Sequence, residues 1–277
     1  MYNYLEYPVN ELDLKEPFYI YHIKQNQVQD IYMHHHDFFE VYLLLQGDLD
    51  YIVNGYKYEI KNGDLIVLLS NQLHRPIFKN QNQTYERYVL WIKKDIFSIE
   101  NLKSNENTAY IKHLSDVERS AIISIFDMLK MQVDQQHNKK NQDIVNKCID
   151  LVASLINQIY SDYKPIETSL NNDGLQAALD YIDRNAYQKI TLDELSNISH
   201  ISKYHLSRKF KEKVGTNIYQ YCIKKRLLLS KNLISHHLPM AQVQERCGFS
   251  DYASFYRAFK KEYKISPRDY LKRHEKA

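Results

Sequence analysis

Glycine is scarce in this chain, at 6 of 277 residues, and cysteine scarcer still, at 3. With so little glycine there is no loop able to cradle a phosphate and no strained turn carrying a nucleophilic serine. Cys148, Cys222 and Cys247 are scattered without metal-ligand spacing, and an odd, unpaired set reads as reduced, buried thiols in a reducing compartment. No apolar run reaches 18 residues, so no membrane-spanning helix is expected. The start, Met1-Tyr2-Asn3-Tyr4-Leu5-Glu6, has neither a basic segment nor an apolar stretch, which argues against a signal peptide and for a cytoplasmic protein. No catalytic constellation stands out, and the chain does not read as an enzyme.

What is present is unevenly distributed. The overall charge is only +3, yet from Asn171 onward there are 20 Lys/Arg against 11 Asp/Glu, a net +9. The first 170 residues hold 17 against 23, a net −6. Such polarity suggests that the C-terminal part alone meets a polyanion.

Residues from about 15 to 100 read as strands. Phe39–Leu45 (FEVYLLL) and Asp64–Leu69 (DLIVLL) are short apolar runs, and Tyr85–Ile92 is another strand. Between the first two, Leu49–Val53 and Tyr56–Ile60 flank Asn54-Gly55, which suits a type I′ hairpin because both turn positions need positive φ. A second Asn-Gly, Asn62-Gly63, leads into the next strand. Five or more strands without intervening helices predict a small antiparallel barrel or sandwich. Two amphipathic helices follow, Ser115–Gln135 and Asp143–Tyr163, which either cover the barrel or pair across a dimer interface. The polar stretch Ser161–Asp173 reads as a linker.

Beyond Gly174 the pattern is helical. Thr191-Leu192-Asp193-Glu194 forms a capping box, Ser202 caps the next helix, and Gly215 ends it. A long helix runs from about Thr216 to Ile234. Pro239 suits the first turn of another, Ser250 is expected to cap the one after, and Ser266-Pro267 opens the last.

An internal repeat organises this region. Leu206, Arg208, Phe210, Lys211 and Val214 recur 49 residues later as Phe255, Arg257, Phe259, Lys260 and Tyr263. Each copy follows a short helix and a tight turn, so each is a candidate helix-turn-helix, at about 191–214 and 239–263. The apolar members are buried. Ser202, Lys203, Tyr204, Ser207, Arg208 and Lys211 are then left to face DNA from the first copy, and Asp251, Tyr252, Ala253, Tyr256, Arg257 and Lys260 from the second. Arginine reads guanine bidentately, and Ser, Tyr and Lys reach bases or phosphates. A connecting helix of about 18 residues spans about 27 Å. With its turns it sets the recognition helices about 34 Å apart, one turn of DNA.

Residues 174–273 resemble the DNA-binding domain of the AraC/XylS family of regulators. The resemblance lies in Leu206–Gly215 (LSRKFKEKVG), Tyr221 and Arg226 of the long helix, Gly248–Lys260 (GFSDYASFYRAFK) and Ser266–Tyr270 (SPRDY). Ser196 and Gln244 stand where the family usually has alanine, which is expected to loosen the first helix of each unit. Lys264 replaces the usual glycine at a left-handed cap, and Ala253 is too small to hydrogen-bond a base. The first unit thus offers the richer donor set and is expected to read its half-site more strictly, the second anchoring more through phosphate.

The strand region resembles the cupin-type sensor domain of the same family, through His34-His35-His36-Asp37-Phe38-Phe39-Glu40, Gly47, Asn62-Gly63-Asp64 and His74. The resemblance implies an α+β multidomain protein, with an antiparallel cupin-like β-barrel and flanking helices before an all-α domain. Its parts are an effector and dimerisation domain at 1–165, a linker at 166–173 and the DNA-binding domain at 174–277. His34, His36, Glu40 and His74 are the candidate effector contacts. In catalytic cupins such a set converges on a metal, so three readings stay open: a metal site, hydrogen bonding to a ligand, and structural satisfaction of the barrel mouth. Tyr19, Tyr21, Tyr32, Tyr42, Tyr51, Tyr56 and Tyr58 could stack on a sugar, although tyrosine is abundant throughout, at 24 residues. No cofactor is expected. The implied function is a sequence-specific regulator, an activator responding to a small molecule such as a sugar. Its partners are double-stranded DNA, RNA polymerase and a second copy of itself, with no membrane. A metal-dependent cupin enzyme fused to a DNA-binding domain, and a sensor answering to a protein partner, are the alternatives.

Overall fold

The computed structural model describes residues 14, 16–99, 102, 109–134, 141–161 and 174–274, so the linker expected at 166–173 lies outside the described residues. The chain divides into two compact units, one of Leu12–Ser169 and one holding Leu170–Ala277.

Among the described residues of the first unit, eight strands form two antiparallel sheets, the expected cupin-like arrangement. Strands β1 (Phe18–Gln25), β2 (Phe39–Gln46), β5 (Asp64–Leu68), β7 (Tyr85–Ile92) and β8 (Tyr110–His113) make a five-stranded sheet in the order β1-β7-β2-β5-β8. Strands β3 (Leu49–Val53), β4 (Tyr56–Ile60) and β6 (His74–Phe78) make a three-stranded sheet in the order β4-β3-β6. Apart from Glu40, the β2 run FEVYLLL is apolar, because both of its faces are covered. Val41 and Leu43 pack with Val67 and Leu65 beneath two helices, whereas Tyr42 and Leu44 join Leu49, Tyr51, Val53 and Ile66 in a second apolar cluster. Asn54 and Gly55 both take positive φ, 48° and 86°, as the hairpin between β3 and β4 requires.

Helices α1 (Asp116–Asp134) and α2 (Gln142–Ile159) cover the five-stranded sheet. Ile122, Phe126 and Leu129 of α1 and Val145, Ile149, Val152 and Ile156 of α2 are buried in one cluster with the outer face of that sheet. The sequence left two roles open for these helices, and covering the barrel is the one their buried stripes fulfil.

The second unit is helical, with α3 (Leu175–Asn185), α4 (Leu192–Ser199), α5 (Lys203–Val214), α6 (Ile218–Ser235), α7 (Met240–Arg246), α8 (Tyr252–Tyr263) and α9 (Pro267–His274). The capping box at Thr191 and Glu194 is formed in both directions. Asn217 caps α6, its side chain accepting from the Gln220 amide at 2.8 Å. Two expectations need correction. Pro239 sits at the N-cap of α7 rather than within its first turn. The cap of α8 is Asp251, not Ser250: the Asp251 carboxylate accepts from the Ser254 amide at 2.7 Å, and Ser250 merely donates its hydroxyl to Asp251. The reason lies in the repeat register. The first helices of the two units are offset by 48 residues (Leu195 and Val243 are both buried) and the second helices by 49. One extra residue therefore sits in the second turn, and Ser202 corresponds to Asp251.

Candidate nucleic-acid interface and sensor site

Helices α5 and α8 present matching buried stripes. Leu206, Phe210 and Val214 are fully buried in one, and Phe255, Phe259 and Tyr263 are buried in the other. Burying those positions turns the remaining side of each helix outward. Lys203, Tyr204, Arg208 and Lys211 are exposed on α5 and Ser207 is half-buried beside them; Ser202 is exposed at the cap. On α8, Tyr252, Ala253, Arg257 and Lys260 are exposed and Tyr256 is half-buried.

Several of these side chains are already engaged within the protein. Lys203 pairs with Asp193 of α4 at 2.5 Å, and Ser202 accepts from the His205 amide at 3.5 Å. Asp251 is held as a cap by Ser254, and those hydrogen bonds keep its carboxyl below the usual range, so it stays anionic. A carboxylate committed to the helix start is a poor phosphate neighbour. Both units therefore spend their first position on capping, and in the first unit Lys203 is also paired within the protein. His205, exposed beside Tyr204 with ring centroids 5.8 Å apart, shares the outward side of α5 and was not among the sequence candidates.

The turns that aim these helices are tied by side chains. The Ser196 hydroxyl donates to the Ile201 carbonyl at 2.6 Å, and Gln244 Nε2 donates to the Phe249 carbonyl. Both reach five residues ahead across the turn, so the expected loosening is replaced by a staple. Gly248 has φ 73°, and a Cβ there would stand 2.1 Å from the Tyr187 carbonyl oxygen, so only glycine fits.

Helix α6 packs against α5, α7, α8 and α9 and is braced at both ends of the unit. Arg226 donates to the Ala186 carbonyl at 2.6 Å and the Gln188 carbonyl at 2.7 Å. Asp183 of α3 accepts from Tyr221 at 3.2 Å and pairs with Lys225 at 3.0 Å, and Lys224 pairs with Glu262 of α8. One 18-residue helix thus fixes both recognition helices in one body.

In the first unit, His36, Glu40 and His74 come together, each offering one donor atom within 4.8 Å of the others. His34 lies alongside, its ring centroid 4.2 Å from that of His74, but outside that three-atom group. Backbone bridging positions the set: the amides of His34 and His74 donate to each other's carbonyls at 3.1 and 2.9 Å. All three histidines present Nδ1 to a carbonyl two residues away. The acceptors are Tyr32 at 2.8 Å, Phe38 at 3.0 Å and Gln72 at 2.9 Å. The Nδ1 hydrogens are so committed, and the Nε2 atoms of His36 and His74 are turned toward Glu40. His36 Nε2 stands 3.1 Å from Glu40 Oε2, which also accepts from Trp91 Nε1 at 3.0 Å. Burial by itself would raise the Glu40 carboxyl. The hydrogen bonds from His36 and Trp91 and the nearby His36 and His34 outweigh it and hold it below the usual range. Burial pushes His74 well below its usual value, with His34 and His36 acting in the same direction, so its ring is neutral.

The tyrosines separate into two groups. Tyr42, Tyr51 and Tyr58 are buried between the sheets, with the Tyr42 and Tyr85 hydroxyls 2.6 Å apart, and serve packing. Tyr19, Tyr21 and Tyr56 are half-buried and Tyr32 is 82% exposed. Arg87, fully buried with its guanidinium 3.9 Å from the Tyr85 ring centroid, carried no signal in the sequence.

Comparison with known proteins follows this division. Residues 195–273 match a family model described as a helix-turn-helix domain, and residues 17–146 match one described as an AraC-like ligand binding domain. The HTH-type transcriptional activator RhaS of Salmonella schwarzengrund is 22% identical over 242 residues, covering 85% of this chain and 86% of that protein. The probable transcriptional regulator LumQ of Photobacterium leiognathi is 37% identical over 91 residues, 32% of this chain and 37% of its own. Among solved structures, apo ToxT K231A of Vibrio cholerae aligns over 93% of this chain and 97% of its own, at 12% identity and a TM-score of 0.39. Among the described residues no helix is long and apolar enough to cross a membrane.

Proposed function

This chain belongs to the AraC/XylS family of transcription regulators, and on that premise we propose that it is an activator gated by a small molecule bound in its N-terminal unit. It binds DNA through a helix-turn-helix domain and carries a ligand-binding domain. The observation that carries the reading is the pair of recognition helices braced by one central helix. Lys203, Tyr204, Ser207, Arg208 and Lys211 of α5 enter one major-groove segment. Tyr252, Ala253, Tyr256, Arg257 and Lys260 of α8 enter the next, with Ser202 and Asp251 holding the helix starts.

The effector meets the sensor unit beside His34, His36, Glu40 and His74, and a sugar is the class to test first. Two chains pair through the outer sides of α1 and α2, where Met128, Met131 and Leu151 are exposed. Effector binding then changes how the paired chains present their DNA-binding units to the operator and to RNA polymerase.

The test is a panel of monosaccharides and small acids against the purified full chain, read by thermal unfolding and by affinity for its own upstream DNA. An effector bound at 100 times its Kd raises stability by about 2.7 kcal/mol. A compound that both stabilises the chain and changes its DNA affinity supports the reading. DNA binding that no compound alters would leave a regulator without a small-molecule input.

A further inference from the structure

We propose that His36, Glu40 and His74 bind a divalent first-row transition-metal ion, through the two Nε2 atoms and the Glu40 carboxylate. The inference stands on the geometry of the sensor unit and not on DNA binding.

Three observations carry it. The first is spacing. Two donors bound to one such ion at about 2.0–2.2 Å stand roughly 3–4.3 Å apart, depending on the angle between them. Glu40 Oε2 is 3.1 Å from His36 Nε2 and 3.9 Å from His74 Nε2. The second is the tautomer. A ligating histidine characteristically gives its other N–H to a carbonyl or carboxylate, which fixes the ring and frees the coordinating lone pair. His36 and His74 both do so, and neighbouring His34 repeats the arrangement. The third is an orphaned atom. His74 Nε2 is buried, and among the described residues it meets no hydrogen-bond partner.

A purely hydrogen-bonded cluster accounts for this less well. With its Nδ1 hydrogen given to Phe38, His36 brings Nε2 to 3.1 Å from a Glu40 oxygen that Trp91 already bonds. His74 Nε2, 3.9 Å from the same oxygen, makes no hydrogen bond among the described residues. A cation among the three atoms resolves both contacts at once. Two imidazoles and one carboxylate suit iron(II), manganese, nickel or zinc, and three protein ligands leave positions open for water or for an oxygen of a small molecule. The ion would also join β2 to β6, one strand from each sheet, so its occupancy would reach the whole sensor unit.

The test uses the full chain, stripped with a chelator and titrated separately with zinc, cobalt(II), manganese, nickel and iron(II). The expected result is one ion per chain for at least one metal, with a rise in the unfolding temperature of the sensor unit. Glu40→Gln and the double variant His36→Gln/His74→Gln are expected to lose the site while keeping the far-ultraviolet circular dichroism of the parent. If a variant does not fold, X-ray absorption of the metal-loaded parent decides instead: imidazole scattering with nitrogen at about 2.0–2.1 Å is expected. No stoichiometric binding of any of the five metals, binding that both variants retain, or a bound ion without imidazole ligands overturns the proposal. Metal content is measured without DNA, so this result and the fate of the regulator reading are separable.

Discussion

Gly215 and Lys264 occupy the same place in the two halves of the DNA-binding unit, 49 residues apart, and both close a recognition helix in the left-handed conformation, at φ 82° and 60°. Each gives its amide to the carbonyl four residues back, Lys211 in one case and Lys260 in the other, at 2.9 Å. Glycine takes this conformation freely, whereas a residue with a Cβ enters it at a cost of about 1 kcal/mol. Lys264→Gly is therefore expected to stabilise the chain by roughly 0.5–1 kcal/mol. Urea unfolding read at the midpoint checks this, and a loss of stability would show that the Lys264 ammonium, bonded to the Lys261 carbonyl, matters more than the backbone.

The staples across the two turns should be worth measurable stability. Removing the donor leaves the Ile201 or the Phe249 carbonyl short of a partner, at about 0.5–1.5 kcal/mol each. Ser196→Ala and Gln244→Ala are expected to lower the unfolding midpoint by that amount. Because the two sites lie in different turns, the double variant should lose the sum.

The thiols are expected to be inert in the folded chain. Burial pushes Cys222 up to about 11 and Cys247 up to about 12, and it also raises Cys148. Only the thiolate attacks alkylating reagents. Iodoacetamide at pH 8 should modify the native protein far more slowly than the urea-unfolded chain. Equal rates would mean that the units open readily.

Much of this architecture is legible from residue patterns, and the exceptions have particular causes. The doubly covered strand β2 declares itself by the apolar run Val41–Leu45, and the β3–β4 hairpin by Asn54-Gly55. Strand β6 does not, because Pro76 interrupts it; it survives at the edge of its sheet, beside β3, where a missing N–H is tolerated. The α8 cap was misplaced by one residue because Ser250 and Asp251 are both good caps, and only the change of repeat offset from 48 to 49 distinguishes them. In the sensor, the cupin resemblance, not spacing alone, brought His34, His36, Glu40 and His74 forward as one set. That His34 would stand outside the three-donor group depends on the backbone bridge to His74, which no spacing rule contains. The stapling roles of Ser196 and Gln244 were hidden for a similar reason: hydrogen bonds to carbonyls five residues ahead leave no periodic trace.

DNA recognition should divide unequally between the two helices. Arg208→Ala and Arg257→Ala are each expected to cost about 1–3 kcal/mol of specific affinity if the guanidinium reads a base. The larger loss of sequence discrimination should fall on Arg208, because α8 offers an acidic cap, Asp251, and Ala253 where α5 offers Ser202 and Tyr204. Affinity should also fall steeply with salt, by roughly 10³–10⁵-fold between 50 and 200 mM if six to ten phosphates are contacted. Anisotropy titrations with cognate and scrambled duplexes measure both, and a flat salt response would remove the basic surface from the account.

The central claim is that one chain reads two successive major-groove segments with α5 and α8. Selection of bound duplexes from a random-sequence pool by the purified full chain tests it most directly. The account predicts two enriched blocks per chain with centres about 10–10.5 base pairs apart, the block read by α5 being the more sharply defined. A single enriched block, or none above the starting pool, would contradict it.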